Sequence, residues 1–68
     1  MSDYIEFNEH DKFFSIRKEH INSVTLNHDL NMNIFRVCIN SSGLCTNEEF
    51  DSKEIAVERY HQIMNMLR

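Results

Sequence analysis

Ile34-Phe35-Arg36-Val37-Cys38-Ile39-Asn40-Ser41-Ser42-Gly43-Leu44-Cys45-Thr46-Asn47-Glu48-Glu49-Phe50 reads as a β-hairpin on residue types alone. Its first seven residues are rich in β-branched and aromatic side chains that fit a pleated surface. The only Gly of the chain then falls where a two-residue hairpin turn needs positive φ. With Ser42-Gly43 as that turn, Asn40 lies opposite Cys45. Phe35 then meets Phe50, Ile39 meets Thr46, and Arg36 meets Glu49 as an opposite-charge pair on the other face. A three-residue loop would set Phe35 against Glu49 and Ile39 against Cys45, which is a poorer match.

Outward from the hairpin, the C-terminal segment is the clearest helix, over about 52–67. Asp51 or Ser52 can cap it, and Asp51 with Glu54 three residues on makes an Asp version of the capping box. Ala56, Tyr60, Ile63 and Leu67 recur at i, i+4, i+7 and i+11 as one apolar stripe, flanked by Ile55 and Met64. At ~1.5 Å per residue this helix is about 24 Å long, enough to cross a small sheet.

Toward the N-terminus, Tyr4-Ile5-Glu6-Phe7 alternates, and a polar run that includes His10 supplies a turn before Phe13-Phe14-Ser15-Ile16. Ile21, Val24 and Leu26 suggest a tight turn into a third strand over 23–27, with a helix over 17–24 as the competing reading. Asn27-His28-Asp29-Leu30-Asn31-Met32-Asn33 is a loop by its density of Asn and Asp. The fold class is therefore α+β: an antiparallel sheet of four to five strands (about 4–7, 13–17, 23–27, 34–40 and 44–50) with one helix packed on one face. Its expected core is Ile5, Phe7, Phe14, Ile16, Val24, Leu26, Phe35, Val37, Ile39, Leu44, Phe50, Ala56, Tyr60, Ile63 and Leu67.

The 68-residue length sets one domain. A chain of this size buries only about 60% of the surface its unfolded form exposes, which leaves no room for a large substrate cleft. Five Phe and two Tyr are too many for a disordered tail, and one Gly with no Pro excludes a flexible linker. The N-terminus has no basic and apolar signal pattern, and no run of ~18 apolar residues exists, so a cytoplasmic location is expected. In that setting two Cys read as free thiols.

A net charge of −4 opposes direct nucleic-acid binding, because that affinity comes from Lys and Arg neutralising phosphates. Glu48, Glu49, Asp51, Glu54 and Glu58 stand close together against a single Lys53. Part of that density suits a helix N-terminus; as a surface it would suit a basic partner. Because one helix covers one sheet face, the other face would carry Tyr4, Ile34, Arg36, Cys38 and Cys45. A homodimer through that face or a sheet edge is expected, since small cores gain stability by association.

Catalytic and metal signatures are missing. Cys38-x6-Cys45 is not zinc-knuckle spacing, and His10, His20, His28 and His61 form no H-x3-5-H pair. His28 could in principle join the two cysteines, which are diagonal neighbours in the hairpin. No G-x-S-x-G, phosphate loop or H-E-x-x-H occurs. The expectation is a non-enzymatic protein without cofactor or metal.

Phe50-Asp51-Ser52-Lys53-Glu54-Ile55-Ala56, followed by Tyr60, Ile63 and Leu67, resembles the C-terminal part of many small uncharacterised bacterial and phage proteins. Upstream, the spacing of Ile16, Ile21 and Val24 is similar to their strand and tight turn. The short length, the Asn and Ile richness and the acidic balance also resemble small phage or prophage accessory proteins, which include inhibitors such as anti-CRISPR proteins. That resemblance implies action by binding. The reading is an interaction module that docks on a host protein complex by steric or acidic contact. The alternative is a small oligomer holding a small molecule, such as a signalling nucleotide, between subunits through Arg17, Arg36 or Tyr4.

Overall fold

The computed structural model describes residues 3–9 and 11–68, so Met1, Ser2 and His10 of the first turn lie outside the described residues. Among the described residues, five antiparallel strands and one α-helix make up the fold: β1 (Tyr4–Glu9), β2 (Lys12–Arg17), β3 (Ile21–Asp29), β4 (Ile34–Ser41), β5 (Leu44–Phe50) and α1 (Lys53–Leu67). Hydrogen bonding divides the strands into β1-β2 and β3-β4-β5. The expected single sheet is thus two sheets, with β1 lying beside β5.

In the β4-β5 hairpin Phe35 pairs with Phe50, Arg36 with Glu49, Ile39 with Thr46 and Asn40 with Cys45. Ser42 and Gly43 both have positive φ, 48° and 85°, as a two-residue turn matched to strand twist requires. Between β2 and β3 the competing helix over 17–24 is reduced to a 3-10 turn, Lys18–His20. Beyond it β3 runs on to Asp29, longer than expected, because 27–29 pair with 34–36 of β4. Of the two cap candidates, Ser52 caps α1: its Oγ accepts the Ile55 amide at 3.4 Å.

Ile5, Phe7, Val37, Ile39, Ala56 and Ile63 are fully buried. Phe14, Ile16, Val24, Leu26, Phe50, Tyr60 and Leu67 pack against them, joined by Ile21. Phe35, half-buried and stacked on the exposed His28 ring, and Leu44 depart from the expected core. Leu44 is 71% exposed because it pairs with Ser41 at the hairpin tip, where it packs against no core side chain.

Spatially the strands run β2-β1-β5-β4-β3, which puts β2 and β3 at opposite edges. A flat sheet of five strands would hold those edges roughly 19 Å apart. The connection between them is three residues long, and four Cα steps reach at most about 14 Å. The two sheets must therefore curl toward each other at that end, with the apolar side of α1 inside the curl.

Candidate functional site

Alternation along β5 decides which acidic side chains are available. Phe50, Glu48 and Thr46 share the face that bears Phe35, Val37 and Ile39. Glu48 stands opposite Val37, 6% exposed, and does not belong to an exposed patch. Its Oε1 accepts Arg59 Nε at 2.7 Å, and its Oε2 accepts Arg59 Nη2 at 3.2 Å and the Asn8 backbone N–H at 3.2 Å. Arg59 Nη2 also donates to the Glu6 carbonyl at 2.7 Å, while its guanidinium lies 5.6 Å from the Phe7 ring centroid. Reciprocally, Glu9 on β1 accepts the Asn47 backbone N–H of β5 at 3.1 Å. Two carboxylates thus occupy the seam between the sheets and take amide protons that a continuous ladder would have used.

With both oxygens engaged by donors, Glu48 fastens β1, β5 and α1 together. Such a charge tolerates burial only because it is paired and hydrogen-bonded. Among the described residues no buried side-chain polar atom lacks a partner. Beside the pair an open groove of about 470 Å³ runs over Phe7, Phe14 and the 82% exposed Phe13.

The remaining acidic candidates are exposed. Glu49 binds Arg36 Nε at 2.9 Å. Asp51 lies just before the Ser52 cap, and Glu54 and Glu58, four residues apart within α1, share one side of its first turns. Among the described residues no cation forms an ion pair with any of these three. The Glu54 carboxyl is held below its ordinary value of 4.5, first by its own backbone N–H and then by the Ser52 hydroxyl at 3.0 Å. Ile55, 57% exposed, stands among them.

On the face away from α1, Arg36 is committed to two carboxylates, Glu49 and Asp29, the latter at 2.8 Å. Asp29 also accepts the Asn31 and Met32 amides, at 3.0 and 3.3 Å. Its carboxyl is held below the ordinary 3.8, by the Arg36 hydrogen bond first and the Met32 amide next. Arg17 lies 5.7 Å from the Tyr4 ring centroid and pairs with Glu19 at 3.0 Å. Tyr4 is half exposed and Ile34 is half-buried.

The expectation of free thiols is corrected: Cys38 and Cys45 are joined by a disulfide. Their diagonal positions on one face bring the Cα atoms to 6.4 Å, within disulfide reach. His28 is on the opposite side of the sheet. It stacks on Phe35 at 4.1 Å between ring centroids and contacts Asn33 Oδ1 at 3.0 Å, so it does not join the cysteines. Among the described residues no three His, Cys, Asp or Glu side chains converge as metal ligands, and no helix is long and apolar enough to cross a membrane.

Arg59 was not singled out by sequence reading, although the signal existed. Once Glu48 shares a face with Val37 it requires a buried cation, and Arg59, three residues after Ala56, borders the apolar stripe of α1. No family model, curated protein or solved structure matches the chain.

Proposed function

We propose that this chain is a non-enzymatic protein-interaction module, a phage-type inhibitor that docks on a basic surface of a host complex, one that otherwise holds nucleic acid. The observation that carries the reading is the arrangement of Asp51, Glu54 and Glu58. Glu54 and Glu58 share one side of α1, Asp51 precedes its Ser52 cap, none of the three has an ion-paired cation among the described residues, and exposed Ile55 follows Glu54 in the same turn. Glu49 contributes at the margin, and Glu48 is a structural group. Charges in this arrangement speed encounter with a basic surface and select against acidic ones, while Ile55 offers an apolar contact that charge alone would not supply.

The test is affinity capture from bacterial lysate with the native chain, with an Asp51→Lys/Glu58→Lys variant, and with an Asp11→Lys/Glu19→Lys control. Glu54 is left in place because it supports the cap. The reading requires a bound protein that is lost in the first variant and kept in the control. Equal capture by all three, or no capture, contradicts it.

A further inference from the structure

The nine-residue β3 is the outer strand of the three-stranded sheet, and among the described residues no strand pairs with its other edge. Outer strands are commonly guarded by Lys, Pro, bulges or short length, because their open N–H and C=O groups template further pairing. β3 carries no Lys, Arg, Pro or Gly. Its one irregularity falls between Ile21 and Ser23, and 23–29 pair with β4 without interruption. The other outer strand, β2, is shorter, with Lys12 and Arg17 at its two ends.

We propose that β3 pairs antiparallel with β3 of a second copy of this chain, about a two-fold axis at Thr25. Directly opposed residues in an antiparallel pair point to the same face, so a self-pairing strand must be centred on a residue. Centring on Thr25 makes the polarity of Ser23-Val24-Thr25-Leu26-Asn27 self-complementary. Val24 meets the other copy's Leu26 on the helix-bearing face, twice over. Thr25 meets its own counterpart on the open face, flanked by two Ser23 to Asn27 pairs. Centring on Val24 would set Leu26 against Asn22, and centring on Leu26 would set Val24 against His28; each breaks the Val24 to Leu26 match, whereas the Thr25 centre sets only Ile21, beyond the irregularity, against Asp29. Val24 and Leu26 are only half-buried within one chain, so the second copy covers apolar surface as well as satisfying the open edge. This interface uses residues separate from the carboxylates of the proposed docking surface. Failure of one therefore leaves the other standing.

A single strand pair falls below the roughly 1,200 Å² of a standard interface, so association depends on concentration. Light scattering across a dilution series tests it. The native chain should rise from the 8.2 kDa chain mass to twice that value. Thr25→Lys sets like charges opposite each other and should stay at monomer mass with an unchanged circular dichroism spectrum, while Ser15→Lys on β2 should still dimerise. The register is tested by paired substitutions at exposed positions. Ser23→Lys/Asn27→Glu places opposite charges across the axis and should dimerise, whereas Ser23→Lys/Asn27→Lys should not. A native chain that remains monomeric at every concentration overturns the proposal. So does a dimer that survives Thr25→Lys and Ser23→Lys/Asn27→Lys, or one that Ser15→Lys abolishes.

Discussion

Glu48 is the residue on which the seam between the sheets turns. Its carboxylate accepts from Arg59 and from the Asn8 amide while nearly excluded from solvent. Glu48→Gln replaces one acceptor oxygen by a donor facing other donors, and should lower unfolding stability by about 2 kcal/mol. Glu58→Gln on the exposed helix should stay within about 0.5 kcal/mol. Urea denaturation of the two variants measures the contrast. Asp29 gives a pH-dependent counterpart. Because Arg36 holds its folded pKa below the ordinary 3.8, Asp29 contributes stability above that pH and loses it as pH falls through the lowered value. Arg36→Gln should move the Asp29 titration, followed by NMR, back toward 3.8 and reduce the acid sensitivity of folding below about pH 4. The misreading of Glu48 as exposed has a simple cause. Charge density along the chain carries no strand parity, whereas the Phe35 to Phe50 and Ile39 to Thr46 pairs imply that Glu48 shares the buried face.

Among the elements, the β4-β5 hairpin and α1 were legible because their signals are local. The lone Gly, the alternating apolar residues and the 3.6-residue stripe agree with one another, and each fixes an element without help from distant chain. β3 was harder to read. Its Ser, Asn and Thr residues resemble a loop in isolation, and its extension to Asp29 depends on pairing with β4. The Cys38–Cys45 link is hidden for a different reason: an expected reducing compartment argues for free thiols, and only the hairpin register brings the two residues together. Diagonal neighbours are ordinarily about 7–8 Å apart, and here the strand geometry draws the two Cα atoms in to 6.4 Å, within bridging reach. The disulfide closes a loop of sequence separation 7. Chain-entropy estimates for such a loop give about 2.5 kcal/mol. Denaturant titration with and without reductant should therefore show the reduced chain losing stability of that order, with the native fold retained.

For the whole molecule, the short link between β2 and β3 forces the sheets to curl, and one helix then suffices to fill the concave side. That economy leaves much outward surface. The exposed carboxylates of α1 and the open edge of β3 are its two most distinctive parts. Sequence composition carries the acidic balance but not its distribution, because burial of Glu48, pairing of Glu49 with Arg36 and the Ser52 hydroxyl bond to Glu54 all depend on the folded arrangement. The most direct test of the docking account is the salt dependence of the captured complex, measured for the native chain and for Asp51→Lys/Glu58→Lys. The account predicts an affinity that falls steeply as salt rises and that the variant loses at low salt. An affinity insensitive to salt and unchanged in the variant would contradict it.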